Sequence, residues 1–111
     1  MELDVGIARE DTTCVVTIAG EVDVYTSPAL KERLIEAAED GCTLMIVDLD
    51  EVGFIDSSGL GVLVGALRRL REQGAEMHVV CTREQILKIF GITGLDKVFP
   101  IFASMDQARS S

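Results

Sequence analysis

The stretch from Leu44 to Leu70 admits few folds. Leu44 to Leu49 is an apolar run of strand length, and Leu60, Leu63, Val64, Leu67 and Leu70 recur at the spacing of one helical face. Between them, Asp56 and Ser57 are both strong N-cap residues, so the spacing predicts a helix that begins at one of the two. A strand that runs into a helix places two adjacent hydroxyls, Ser57 and Ser58, at the positive end of the helix and at the rim of a sheet. A phosphate is best tolerated there.

The flanking segments repeat the pattern. Leu3, Val5 and Ile7 alternate with Glu2, Asp4 and Gly6, and Cys14, Val16 and Ile18 mark one face of a second strand, Cys14 to Ala19. The turn at Glu10-Asp11-Thr12-Thr13 joins the two as an antiparallel hairpin. Gly20 to Tyr25 reads as a loop. Ser27-Pro28 opens a helix with the hydroxyl as cap and proline at the first position, ending at Gly41. The central helix runs to about Gln73. Glu76 to Cys81 is a fourth strand, Thr82-Arg83-Glu84-Gln85 a capping box before a helix closed by Gly91, and Val98 to Phe102 a last strand that Pro100 confines to an edge. A short helix from Ser104 ends the chain.

This order predicts an α/β fold: a single-layer mixed five-stranded sheet, first strand antiparallel, order 1-2-3-4-5, with about four helices mainly on one face. Glu2, Asp4, Thr17, Glu76 and His78 alternate with apolar residues, so one sheet face should be solvated, whereas a doubly wound sheet buries both. Helices on one face with right-handed crossovers stack the strands sequentially. Strand three, apolar on both faces except Asp48, fits that picture least well. Residues 1–111 are expected to form a single domain.

The net charge of −9 argues against nucleic acid, which needs clustered Lys and Arg, and points to basic or neutral protein partners. No apolar run reaches the ~20 residues of a membrane span, and Met1-Glu2-Leu3-Asp4 does not read as a signal peptide. Cys14, Cys42 and Cys81 are odd in number and far apart, which suits free thiols in a reducing cytoplasm.

Catalytic patterns fit poorly. Glu21, Asp23, Asp48, Asp50, Glu51 and Asp56 gather at the rim where parallel strands end, as a solvated acidic edge in preference to an acid/base pair or metal site. The nucleophile elbow needs glycine two residues either side of its serine, and Ser57 follows Ile55 at that distance. His78 lies in a strand, as a surface residue. Gly59, Gly61 and Gly65 lack dinucleotide or P-loop spacing. Gly61 and Gly65, beside Val62, leave a flat strip on the central helix, fit for close approach by another helix of the chain or by a docking partner.

Gly20-Glu21-Val22-Asp23, Ile46-Val47-Asp48-Leu49, Phe54-Ile55-Asp56-Ser57-Ser58-Gly59-Leu60-Gly61 and Gly94-Leu95-Asp96-Lys97-Val98-Phe99 resemble the STAS domain, in particular bacterial anti-sigma factor antagonists. The resemblance spans nearly the whole chain. It implies a cytoplasmic regulator without enzymatic activity or cofactor, a monomer or weak dimer. Its unphosphorylated form would bind an anti-sigma factor that is also a serine kinase, releasing a sigma factor. Phosphorylation at Ser57 would end binding, and a PP2C-type phosphatase would restore it. The expected partner surface comprises Glu21, Asp23, Asp56, Ser57 and Ser58, with Gly59, Gly61, Val62 and Gly65 along the helix. Asp23 is expected to contribute contacts and little stability. The alternative is a structural STAS subunit of a larger assembly that uses no phosphorylation.

Overall fold

The computed structural model describes residues 3–111. Along the chain it forms β1 (Leu3–Glu10), β2 (Thr13–Val22), α1 (Ser27–Glu39), β3 (Leu44–Ile55), α2 (Ser57–Glu72), β4 (Glu76–Val80), α3 (Glu84–Thr93), a 3-10 turn (Leu95–Lys97), β5 (Ile101–Phe102) and α4 (Met105–Ser110). The five strands lie in the order β1-β2-β3-β4-β5, with β1 antiparallel to β2 and the rest parallel. The expected topology is the observed one; Glu2, assigned above to the first strand, lies outside the described residues.

The hairpin turn shrinks to Asp11-Thr12, with Asp11 left-handed at φ 59°, a conformation that aspartate tolerates better than most residues. β2 and β3 both run further than the apolar pattern suggests. β2 continues through Gly20 to Val22, and β3 continues past Leu49 to Ile55. Two irregularities break the alternation: Thr17–Ala19 faces Asp48–Glu51, and Gly20–Glu21 faces Val52–Phe54, with one extra residue in β3 each time. Bulges of this kind erase the period-two signal while the ladder continues. Gly20, at φ 114°, takes a conformation that other residues rarely adopt.

On one face Cys14, Val16 and Ile18 meet Met45, Val47 and Leu49, then Met77 and Val79, and α1, α2 and α3 cover them with Leu30, Leu34, Leu63, Leu67, Ile86 and Phe90. All three cysteines are buried and free. Burial, and then the neighbouring Cys42 thiol, pushes the Cys14 thiol up to about 12, so it stays protonated as a core residue.

The other face is less solvated than expected. α4 lies across it, packing Ala108 on Ile46 and Val80, with Leu44, Phe102 and Met105 around them. His78 is therefore no surface residue: it is buried, its Nδ1 lies 2.8 Å from the Ala108 carbonyl, and its ring stands 5.0 Å from that of Phe102. Strand three is apolar on both faces because both are covered there.

Three boundaries also shift. The helix expected to stop at Gly91 continues to Thr93, and Gly94, left-handed at φ 76°, terminates it. Val98 to Pro100 do not join the last strand. After the 3-10 turn, Phe99 instead drops into the core against Phe90, in an edge-on pair with centroids 5.8 Å apart. β5 is at an edge, and Pro100 contributes only its carbonyl, which accepts from Val79 N at 2.9 Å. The box at Thr82 does not form, because the Thr82 hydroxyl and amide both go to Asp50 Oδ1, leaving Arg83 to cap α3 without a side-chain bond. Among the described residues, no helix is long and apolar enough to cross a membrane.

Candidate functional site

Because β2, β3 and β4 are parallel, their C-terminal ends share one rim, and the segments that leave Val22 and Ile55 lie side by side there. The Asp56 amide donates to the Val22 carbonyl at 3.1 Å, joining the two exits. Asp56 caps α2 from extended backbone: Oδ1 accepts from Ser58 N at 2.9 Å, from Gly59 N at 3.2 Å, and from the Ser58 hydroxyl. The Ser58 hydroxyl chiefly, with the Gly59, Ser58 and Val24 amides adding to it, holds the Asp56 carboxyl below its ordinary 3.8 despite some desolvation.

The two serines are thereby differentiated. Ser58 is half-buried and its hydroxyl is engaged by Asp56. Ser57 is exposed at the first position of α2, and among the described residues its hydroxyl has no partner.

Asp23 does more than present a charge. Its Oδ1 accepts from Tyr25 N at 2.9 Å and Thr26 N at 3.0 Å, while the Asp23 carbonyl accepts from Ser27 N at 2.8 Å. The Thr26 hydroxyl reaches back to the Glu21 carbonyl at 2.8 Å. The turn from Glu21 to Thr26 thus rests on the Asp23 carboxylate, contrary to the expectation that Asp23 matters little to stability. Ser27, expected as the cap of α1, is its first helical residue and is buried; Thr26 takes the cap position without a side-chain bond.

The glycines separate into two kinds. A Cβ on Gly59 would lie 2.4 Å from Val22 Cγ1 and 2.9 Å from Ile55 Cγ1, so Gly59 is buried where α2 crosses the sheet, and its role there is packing. Gly61 and Gly65 are exposed, with nothing within 4 Å of where a Cβ would stand. No helix of the described chain closes on them. Together with Val62 they border an open groove of about 570 Å³ between α1 and α2.

The acidic rim is structural in part. Asp48 Oδ1 accepts from Asp50 N at 3.0 Å across the first bulge, and Asp50 holds Thr82. Among the described residues no three of His, Cys, Asp or Glu gather as a metal site. Sequence reasoning missed the apolar residues beside the serine: Val24 and Tyr25 in the neighbouring turn are exposed, Tyr25 at 89 %. Phe54, opposite Glu21 in the ladder, is also half exposed. An aromatic two residues before Ser27-Pro28, in a stretch read as a loop, was the available signal.

A five-stranded mixed sheet with helices packed on it and an exposed serine at its rim places the chain among small α/β domains. The chain belongs to the STAS domain family, whose model matches residues 5–108. It is 37% identical over 106 residues to the anti-sigma-B factor antagonist of Bacillus subtilis, covering 96% of both chains. Its fold superposes on the crystal structure of an anti-sigma factor antagonist from Mycobacterium paratuberculosis with a TM-score of 0.90 at 28% identity, over 98% of this chain and 92% of that one. The Bacillus cell fate determinant SpoIIAA in its phosphorylated form shares the fold, with a TM-score of 0.73 at 21% identity over 96% of this chain and 97% of that one.

Proposed function

We propose that this chain is an anti-sigma factor antagonist that acts by binding, with Ser57 as its switch. The unphosphorylated rim, formed by Glu21, Asp23 to Tyr25, Asp56 and Ser57, binds an anti-sigma factor with serine kinase activity in the cytoplasm and frees a sigma factor. The kinase phosphorylates Ser57, binding ends, and a PP2C-type phosphatase resets the domain. The observation that carries this reading is the contrast at the start of α2, an exposed unbonded Ser57 beside a Ser58 held by its neighbour. The antagonist name of the Bacillus subtilis relative supports the partner class.

The physics of the switch is local. Phosphorylation adds about −1.5 to −2 charges at the positive end of a helix, where the domain itself accommodates them. Against one partner carboxylate ~7 Å away at an effective dielectric of ~40, Coulomb's law gives roughly 2 kcal/mol, about thirtyfold in affinity. The fold can therefore stay intact while the complex dissociates. The test is titration calorimetry of the unphosphorylated and phosphorylated chain against the purified anti-sigma kinase of the native host. Equal affinities, or no binding by either form, would refute the reading.

A further inference from the structure

We propose that the groove between α1 and α2 receives an acidic amphipathic helix of the protein partner. This rests on the reading of the chain as a binding module and extends the docking surface from the rim down the length of α2.

Charge distribution carries the inference. The chain has ten Lys and Arg against nineteen Asp and Glu. Five of the ten are engaged: Arg33 with Glu36, Arg71 with Glu76, Arg109 with Glu10, Arg9 with the Asp40 carbonyl and Arg83 with the Asp50 carbonyl. The other five, Lys31, Arg68, Arg69, Lys88 and Lys97, make no hydrogen bond or ion pair among the described residues, and three of these, Lys31, Arg68 and Arg69, line this one groove. Glu72 is its only acid. A cationic groove on a protein of net charge −9 selects an anionic occupant against the field of the whole surface.

Shape specifies a helix. The groove follows α2 from Ser58 to Glu72, about 21 Å at ~1.5 Å per residue, or about four turns of a partner helix. Its apolar lining, Leu34, Ile35, Val62 and Ala66, suits small aliphatic side chains. Gly61 and Gly65 lie one turn apart with open space where their Cβ atoms would stand, which lets a second backbone come close. Glycine lowers the stability of an exposed helix relative to alanine, so these two positions give up stability in the free domain.

The test has two arms. In the first, a synthetic helical peptide of about four turns, with Leu on one face flanked by Glu, is titrated into the isotope-labelled chain and compared with its Lys-for-Glu counterpart by NMR. The Glu peptide is expected to shift the Gly61 and Gly65 amides and the Lys peptide to leave them in place. Equal shifts, no shifts, or shifts confined to other elements overturn the proposal. In the second, the purified anti-sigma kinase of the native host is titrated with wild type, Arg68→Glu/Arg69→Glu and Gly65→Leu. The charge-reversed variant is expected to keep its melting temperature and Gly65→Leu to match or exceed that of wild type, and both to bind at least tenfold more weakly, with the charge-reversed form losing most of its salt dependence. Variants that bind as wild type does overturn the groove and leave the functional reading standing. A wild type that fails to bind the kinase, with the Glu peptide still seated on Gly61 and Gly65, refutes the functional reading and supports the groove. A wild type that sediments as a dimer while Gly65→Leu sediments as a monomer overturns the proposal in favour of a second copy.

Discussion

The Asp56 carboxylate accepts the hydroxyl proton of Ser58 and leaves that of its immediate neighbour Ser57 free. Two chemically identical side chains, adjacent in sequence, thus have opposite availability. The capping geometry of α2, and not any intrinsic difference between the serines, decides which hydroxyl is exposed and unbonded.

Kinase treatment should therefore place phosphate on Ser57 alone. Ser58→Ala should still be modified and Ser57→Ala should not, as read by mass spectrometry of the peptide that spans both. Phosphate on Ser58 in the wild type would contradict the assignment.

The phosphorylated domain should keep its fold. An anion at a helix N-terminus typically contributes a favourable 0.3–1 kcal/mol, partly offset here by Asp56. The melting temperature should stay within about 5 °C of the unmodified protein, on the order of 1 kcal/mol at this size. A larger fall would mean that the switch works by unfolding.

Gly59→Ala and Gly61→Ala should act in opposite directions. The first drives a methyl into Val22 and Ile55 and should destabilise by about 1–3 kcal/mol, as overpacking does. The second meets open space on a helix and should stabilise by about 0.5–1 kcal/mol. Denaturant unfolding of the two variants checks both signs.

Asp23→Ala should lower stability by about 0.5–2 kcal/mol, in the range of a lost helix cap, because two backbone amides of the turn donate to its carboxylate. Tyr25→Ala, in the same turn but exposed, should change stability by less than about 0.5 kcal/mol and weaken partner binding by more than about 1 kcal/mol. Calorimetry of folding and of binding separates the two effects.

Asp56→Asn supplies a pH test. Asn keeps an accepting oxygen but does not titrate. The folded-state pKa of Asp56 is depressed below 3.8, so the stabilisation from its charge is fully present above 3.8 and is lost as pH falls through the folded value. The melting temperature of wild type should exceed that of Asp56→Asn at about pH 6, well above the usual carboxylate range, and the gap should close below 3.8. A gap that stays constant with pH would show that the carboxylate's charge contributes nothing.

Much of this was legible in the chain because local and global signals agreed. The stripe from Leu60 to Leu70 and a cap at Asp56 or Ser57 are short-range features, and the structure keeps the stripe and gives the cap to Asp56. What stayed hidden depends on contacts distant in sequence. The β3 extension from Asp50 to Ile55 is stabilised by pairing with β2 across two bulges, which no window of residues reveals. His78 looks like a surface residue until Ala108, thirty positions later, covers it. Thr82 carries the signature of a cap, but Asp50 engages it first. At the rim, the positions of Asp56 and Ser57 followed from sequence. The turn-building role of Asp23, the exposed Tyr25 and the unpaired cations along α2 did not, since each is defined by which neighbours a side chain has or lacks.

The hydrogen bond from Asp56 N to Val22 O carries a consequence for chain length. Because it joins the exits of two strands, neither segment can gain or lose a residue without displacing the other, and the spacing from Val22 to Ser27 and from Ile55 to Leu60 is fixed as one unit. At the opposite end of the sheet the Thr12 carbonyl accepts from Thr43 N at 2.8 Å, so a change of length there displaces the entry to β3 and leaves the two strand exits alone. The hairpin at Asp11-Thr12 already turns in two residues at the far pole. A reporter or affinity handle spliced there should report on the serine rim without perturbing it, whereas the same insertion between Asp23 and Thr26 should abolish the site outright.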